Sequence, residues 1–398
     1  MNLIRATGQI AAALICVGRL NAQSAAGPQV IESRPLTGRV ADAIRVERQA
    51  RWIVGGSSSY KGKPIEEVSG AARFSNGTVA VAEALHGRIV YFDSTGKLIR
   101  SVGTLGQGGE PGVFNSIMSL TRLGSDRVVA YDISADRLTT LDDKGGVRGW
   151  DHIQSVPYVK TPIGKSRLMM EVIGAVDRKQ FVARQTFRRY PMGSAKYVDS
   201  ASIVVIDKDR KWSVASRVLD REWFQFTGVK YGTWDVVPFG RTGALAASGD
   251  SWYYSDGSAF EIRRTSLAGA APQVWRVARP RMKVTPQDIE RFKRTRLPHY
   301  LPILQPGFAK AFEWMAYPKE FPTYTALIVD APGNVWARQW AFDGELAKWD
   351  VFSATGKLID EVEVPPDLEV LEIGRDYLLA RYNGPEEGQE VRVYRVWR

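Results

Sequence analysis

Ile89-Val-Tyr-Phe-Asp-Ser-Thr-Gly-Lys-Leu-Ile-Arg-Ser-Val102 and Lys348-Trp-Asp-Val-Phe-Ser-Ala-Thr-Gly-Lys-Leu-Ile-Asp-Glu-Val362 are near copies of one another. Each reads as a strand, a Thr-Gly-Lys turn and a second strand. One hairpin recurring near opposite ends of a chain is the mark of an array of small antiparallel sheets. The fold expected from it is all-β: a β-propeller built from four-stranded blades.

Working outward from these copies, the strand that precedes each hairpin aligns six times. The six are Val79–Glu83, Val128–Asp132, Phe181–Gln185, Trp252–Asp256, Val335–Gln339 and Leu378–Tyr382. Each follows a turn signal, the strongest being Asn76-Gly77, whose residues both tolerate positive φ. A third strand follows every one of them, and a fourth follows the first five. The sixth runs out of chain at Arg398. The apolar stretch Ala43-Ile-Arg-Val-Glu-Arg-Gln-Ala-Arg-Trp-Ile-Val54 can supply the missing outer strand and close the ring, which removes exposed sheet edges. Six blades follow, because five or seven leave an orphan strand or an unfilled slot.

Two loops break the period: Phe187–Asp199 in the third blade, and an insertion over residues 279–321 between the fourth and fifth. Inside the insertion Thr285-Pro-Gln-Asp288 has the chemistry of a helix start, with Thr as N-cap, Pro at the first position and an acid in the first turn. The helix is expected to reach about Arg296 and to end before Pro298.

Residues 1–22 read as an export signal. Arg5 supplies the positive start, Ile10–Val17 the apolar stretch, and Leu20-Asn21-Ala22 the small-residue cleavage site. The apolar run is too short to serve as a transmembrane anchor. Residues 23–41 are expected to be flexible, and 42–398 to form one propeller. The single cysteine, Cys16, falls within the signal, so a cleaved chain needs no disulfide and offers no thiolate. A periplasmic or secreted location follows, and a monomer is expected. The formal charge of +11 attracts anions in general. Outside the cytosol that favours an anionic small molecule such as a carboxylate, an acidic glycan, a lipid headgroup or a peptide over nucleic acid.

The first blade carries an acid, an arginine, an aromatic-Asp pair and a turn glycine: Glu83, Arg88, Phe92-Asp93 and Gly96. The segment Gly103-Thr-Leu-Gly-Gln-Gly-Gly-Glu-Pro-Gly-Val-Phe114 follows. This pattern resembles the six-bladed propellers of the NHL-repeat kind, common among exported bacterial proteins. The match extends to Asp132, Arg137 and Asp142 in the second blade and fades afterwards. The resemblance implies architecture; its members include protein-binding, RNA-binding, lyase and lactonase proteins, so function must come from the site.

In such a topology the loops joining second to third strands share a face with those joining successive blades. That face is expected to collect His86, Arg88, Tyr190, Trp234 and Arg241 with the insertion. Arg184, Arg338 and Arg381 hold one aligned position in the third, fifth and sixth blades. Converging guanidinium groups suit a carboxylate, phosphate or sulfate; the other reading is that they pair with acids and brace the sheets. The Gly-rich segment leads into a strand rather than a helix, so it is not a dinucleotide fingerprint. The three histidines, His86, His152 and His299, make no zinc or serine-hydrolase motif. Glu83, Asp132 and Asp256 could together face a central calcium ion, as in metal-assisted lactonases. The reading favoured by the residues is a binding module without a cofactor, for an anionic or peptide-like ligand. The alternatives are a metal-assisted lactonase or lyase, and an interaction scaffold for a protein partner of the cell envelope.

Overall fold

The computed structural model describes residues 27–38, 42–55, 65–106, 110, 112–161, 164–176, 179–187, 193–228, 232–382 and 389–398. The signal segment 1–22 lies outside these residues, as does Tyr190. Among the described residues six sheets of four or five strands follow one another along the chain, with two further two-stranded sheets. All but two of the strand pairings are antiparallel. One exception is Gln29–Ser33, which pairs in parallel with Gln273–Val277 at the edge of the fourth sheet. The segment expected to be flexible therefore contributes a strand. Its alternating residues offer the half-buried Ile31 to the core between the fourth and fifth sheets.

The inner strands of the six sheets are Val68–Arg73, Ile117–Arg122, Met169–Ala175, Ala244–Ser248, Tyr324–Val329 and Leu368–Ile373. Each touches the next, and the sixth touches the first. The core accordingly lies in slabs between neighbouring sheets rather than in one mass. Leu120, Val128 and Ala130 pack towards the first sheet. Val129 and Tyr131, pointing the other way from the same sheet, pack towards the third. Both faces are buried, so these strands are apolar at consecutive positions instead of alternating.

The two Thr-Gly-Lys turns have equivalent surroundings. Gly96 has φ +85° and lies against the Trp52 ring; Gly356 has φ +86° and lies against the Trp275 indole. In each case the tryptophan belongs to the outer strand of the preceding sheet. Glycine is required twice over, by the left-handed backbone and by the close ring.

The stretch expected to be one outer strand is broken in two. Arg45–Val46 pairs with Trp397 and Val396, and Trp52–Gly55 pairs with residues 390–393 of the last strand. The third sheet is also longer than expected. Its hairpin strands run over Ala195–Ile206 and Trp212–Phe226, and a fifth strand, Thr233–Val236, is added at the edge. Trp234 is thus a strand residue, not a loop residue.

The insertion holds the expected helix, Pro286–Arg296, with a reciprocal cap between Thr285 and Asp288. It also holds a second, Gln305–Trp314, which buries Gly307, Phe308, Ala311 and Phe312 on one face. Those rings meet Phe224 of the third sheet and Val237, just past its edge strand. No helix among the described residues is long and apolar enough to cross a membrane.

Candidate functional site

The six inner strands enclose a cavity of about 1580 Å³ whose lining includes Arg184, Arg338 and Arg381. The aligned arginines are brought to the same cavity. They differ in what faces them across the strand pair. Arg184 is opposite Glu171 and Arg381 is opposite Glu369, whereas Arg338 is opposite Ala326.

The consequences show in their partners. Arg184 forms an ion pair with Asp220. Arg381 pairs with Glu369 and also donates to the Val68 carbonyl. Arg338 donates only to the Thr325 hydroxyl, at 3.2 Å, and its Nε is buried without a hydrogen-bond acceptor among the described residues. Burial pulls the Arg338 guanidinium below its usual pKa, against the opposing pull of Asp343 and Asp367. Among the described residues no carboxylate is paired with this cation, and Asp343 and Asp367 act on it only through their charge. Burial also pushes the Glu171 carboxyl above its usual range, with Arg184 opposing and Glu369 adding to the rise. Glu171 of the third sheet therefore lies near enough to feel the charge of Glu369 in the sixth.

The far end of the cavity is closed chemically. Glu372 accepts from both Arg122 Nη2 at 2.6 Å and Arg122 Nε at 2.9 Å. It also accepts from the Tyr377 hydroxyl and from the Arg73 backbone N–H at 3.0 Å. Glu372 and Arg122 are thus matched to one another across sheets two and six, so this pair braces the ring.

The remaining expected residues are not gathered with the arginine triplet. Arg88 and His86 both contact Glu83, the latter at 3.0 Å. Arg241 is held at 2.8 Å by Glu222, which also accepts from the Arg241 backbone N–H at 2.9 Å. Trp234 is exposed, with its ring 5.7 Å from Trp223. The three acids considered for calcium serve separate loops. Glu83 accepts from the Glu66 N–H at 2.9 Å. Asp132 accepts from the N–H groups of Asn115 at 2.7 Å and Ser134 at 3.0 Å. Asp256 accepts from the Ser258 N–H at 2.9 Å. Among the described residues no group of three His, Cys, Asp or Glu is placed to hold a metal ion.

Glu171, Glu369 and Ala326 escaped the sequence reading. A signal was present: on each inner strand they occupy the cross-strand position facing an aligned arginine, and two of the three are acids. The insertion does not line the cavity but packs against a loop that does. Phe239 sits among Phe292, Phe321 and Trp340 with centroids 5.1–5.7 Å away. Arg291 lies over the Phe342 ring at 3.9 Å and pairs with Glu345 at 2.7 Å. The loop bearing Asp343, which follows Arg338 and Gln339, is thereby anchored to the insertion.

No family model matches the chain, and no curated protein matches it. Solved structures do. A member of the DUF4221 family from Bacteroides vulgatus aligns over 90% of this chain and 98% of its own, at 10% identity and a TM-score of 0.51. A Bacteroides fragilis protein thought to be exported aligns over 92% and 99%, at 11% identity and 0.43. The β-propeller domain of Cps50 (Swd1) from Myceliophteria thermophila aligns over 82% and 95%, at 12% identity and 0.35. At 10% identity the likeness to the first of these speaks to fold alone, and the ring of touching antiparallel sheets makes this chain a β-propeller.

Proposed function

We propose that the chain is an exported, six-bladed, monomeric propeller that binds an anionic ligand where its central cavity opens at Arg338. The count of six is supported by the cycle of six touching inner strands. The ligand class is supported by one observation above the others: of three aligned arginines, two face a glutamate across the strand pair and the third faces Ala326. A carboxylate, sulfate or phosphate group on a small molecule, an acidic glycan or a peptide fits the vacant side of that guanidinium. The excess of Lys and Arg over Asp and Glu, 54 against 43, raises the local concentration of such ligands.

Calorimetric titration with succinate, sulfate, inorganic phosphate and glucuronate tests the reading. At least one should bind, and Arg338→Met should abolish that binding while the melting temperature holds. An anion bound equally well by Arg338→Met, or none bound by the parent protein, removes the proposal. Arg184→Met is the contrasting variant. It strips Asp220 of its partner and should lower stability.

A further inference from the structure

We propose that the tip of the helical insertion, Leu301-Pro302-Ile303, docks the protein onto an anionic lipid surface. Leu301 and Ile303 are 67% and 63% exposed. They lie between the two helices, and their flanks are pinned. The Tyr300 ring stacks on Phe308 at 3.5 Å, and its hydroxyl donates to Asp235 at 2.5 Å. The Tyr300 carbonyl accepts from Gln305 at 3.0 Å. The two aliphatic side chains are therefore presented outward by a fixed frame and cannot fold back onto the protein.

The surrounding charge selects the partner. Residues 279–321 hold nine Lys and Arg against four Asp and Glu. All four acids are already engaged: Asp288 in the helix cap, Glu290 and Glu313 on Lys293 at 3.0 and 2.8 Å, and Glu320 on Arg281 at 2.9 Å. Lys283, Arg294, Lys310 and Lys319 remain exposed, with no ion pair among the described residues. Arg294 stands on the last turn of the first helix and Lys310 on the second helix, on either side of the tip. Apolar side chains at the apex with cations behind them match the depth profile of a bilayer interface, where acyl chains lie beneath anionic headgroups. A protein partner would instead require its own acids placed to meet these cations.

The test uses the full chain in a Cys16→Ser background, with an environment-sensitive dye on Ile303→Cys or, as control, on Leu105→Cys, another exposed site. Vesicles of phosphatidylcholine with one quarter phosphatidylglycerol should raise the dye signal at 303 several-fold and leave 105 unchanged. Arg294→Glu with Lys310→Glu should raise the lipid concentration for half response at least tenfold, as should 0.5 M salt. No response at 303, an equal response to pure phosphatidylcholine, or a response to protein concentration without lipid would each overturn the proposal; the last would identify a second copy of the chain as the occupant. Because the dye reports on residue 303 itself, any lipid affinity elsewhere in the chain leaves the answer intact.

Discussion

Ala326→Glu should complete in the fifth sheet the cross-strand pair that the third and sixth already possess. Ala326 lines the cavity and faces Arg338 in register, as Glu369 faces Arg381. The new carboxylate therefore has a precedent, and it must reach the cavity past the apolar cluster on which Ala326 packs. Cross-strand ion pairs contribute about 0.2–1 kcal/mol. Burial already works against the Arg338 charge, so the gain should sit near the top of that range, about 1 kcal/mol, or roughly 1–2 °C in a chain of this length. Anion binding should fall in the same variant. A fixed negative charge about 5 Å from the incoming anion costs up to about 3 kcal/mol at an effective dielectric constant of 20 before screening, hence at least a tenfold weaker affinity. Urea unfolding and calorimetric titration read the two effects separately. A loss of stability above about 1 kcal/mol, or unchanged anion affinity, would show that the Arg338 environment has been misjudged.

Two further outcomes follow from the packing and from the titration of the cavity wall. Gly356→Ala places a methyl group inside the Trp275 indole at a residue with φ +86°; the combined steric and backbone penalty should be about 2–4 kcal/mol by urea unfolding. Glu171→Gln should gain stability relative to the parent as pH rises from 4 to 7. The carboxyl has a raised folded pKa, so its favourable contribution is complete below the unfolded value and lost above the folded one; parallel unfolding curves across that range check the sign.

Much of the architecture was legible because it repeats. The six aligned second strands and the duplicated Thr-Gly-Lys turn each carry local chemistry, apolar runs and positive-φ glycine, that neighbouring blades cannot override. What was not legible depends on partners distant in sequence. The strand Gln29–Ser33 has no apolar run of its own and exists because the edge of the fourth sheet, some 240 residues later, accepts it. The helix Gln305–Trp314 carried a signal in Phe308, Ala311, Phe312 and Met315, spaced at helical intervals, but Pro306 and Gly307 obscure it. At the site, the arginine triplet was readable from strand alignment alone. The distinction among its members was not, because it resides in what each faces across the strand pair.

The pairing of Trp52–Gly55 with the last strand also determines how the molecule responds to force. Trp52 meets Val393 and Gly55 meets Glu390, so the leading end of one strand lies beside the trailing end of the other. Traction on the C-terminus loads these bonds one at a time, as in a zipper, rather than all together in shear, whereas traction on the N-terminus is taken up first by Gln29–Ser33 in the fourth sheet. Arg45–Val46, which holds Trp397 and Val396, is the first tooth to give. An unfoldase or threading protease gripping the C-terminus meets this seam first, while one gripping the N-terminus must first strip Gln29–Ser33 from the edge of the fourth sheet.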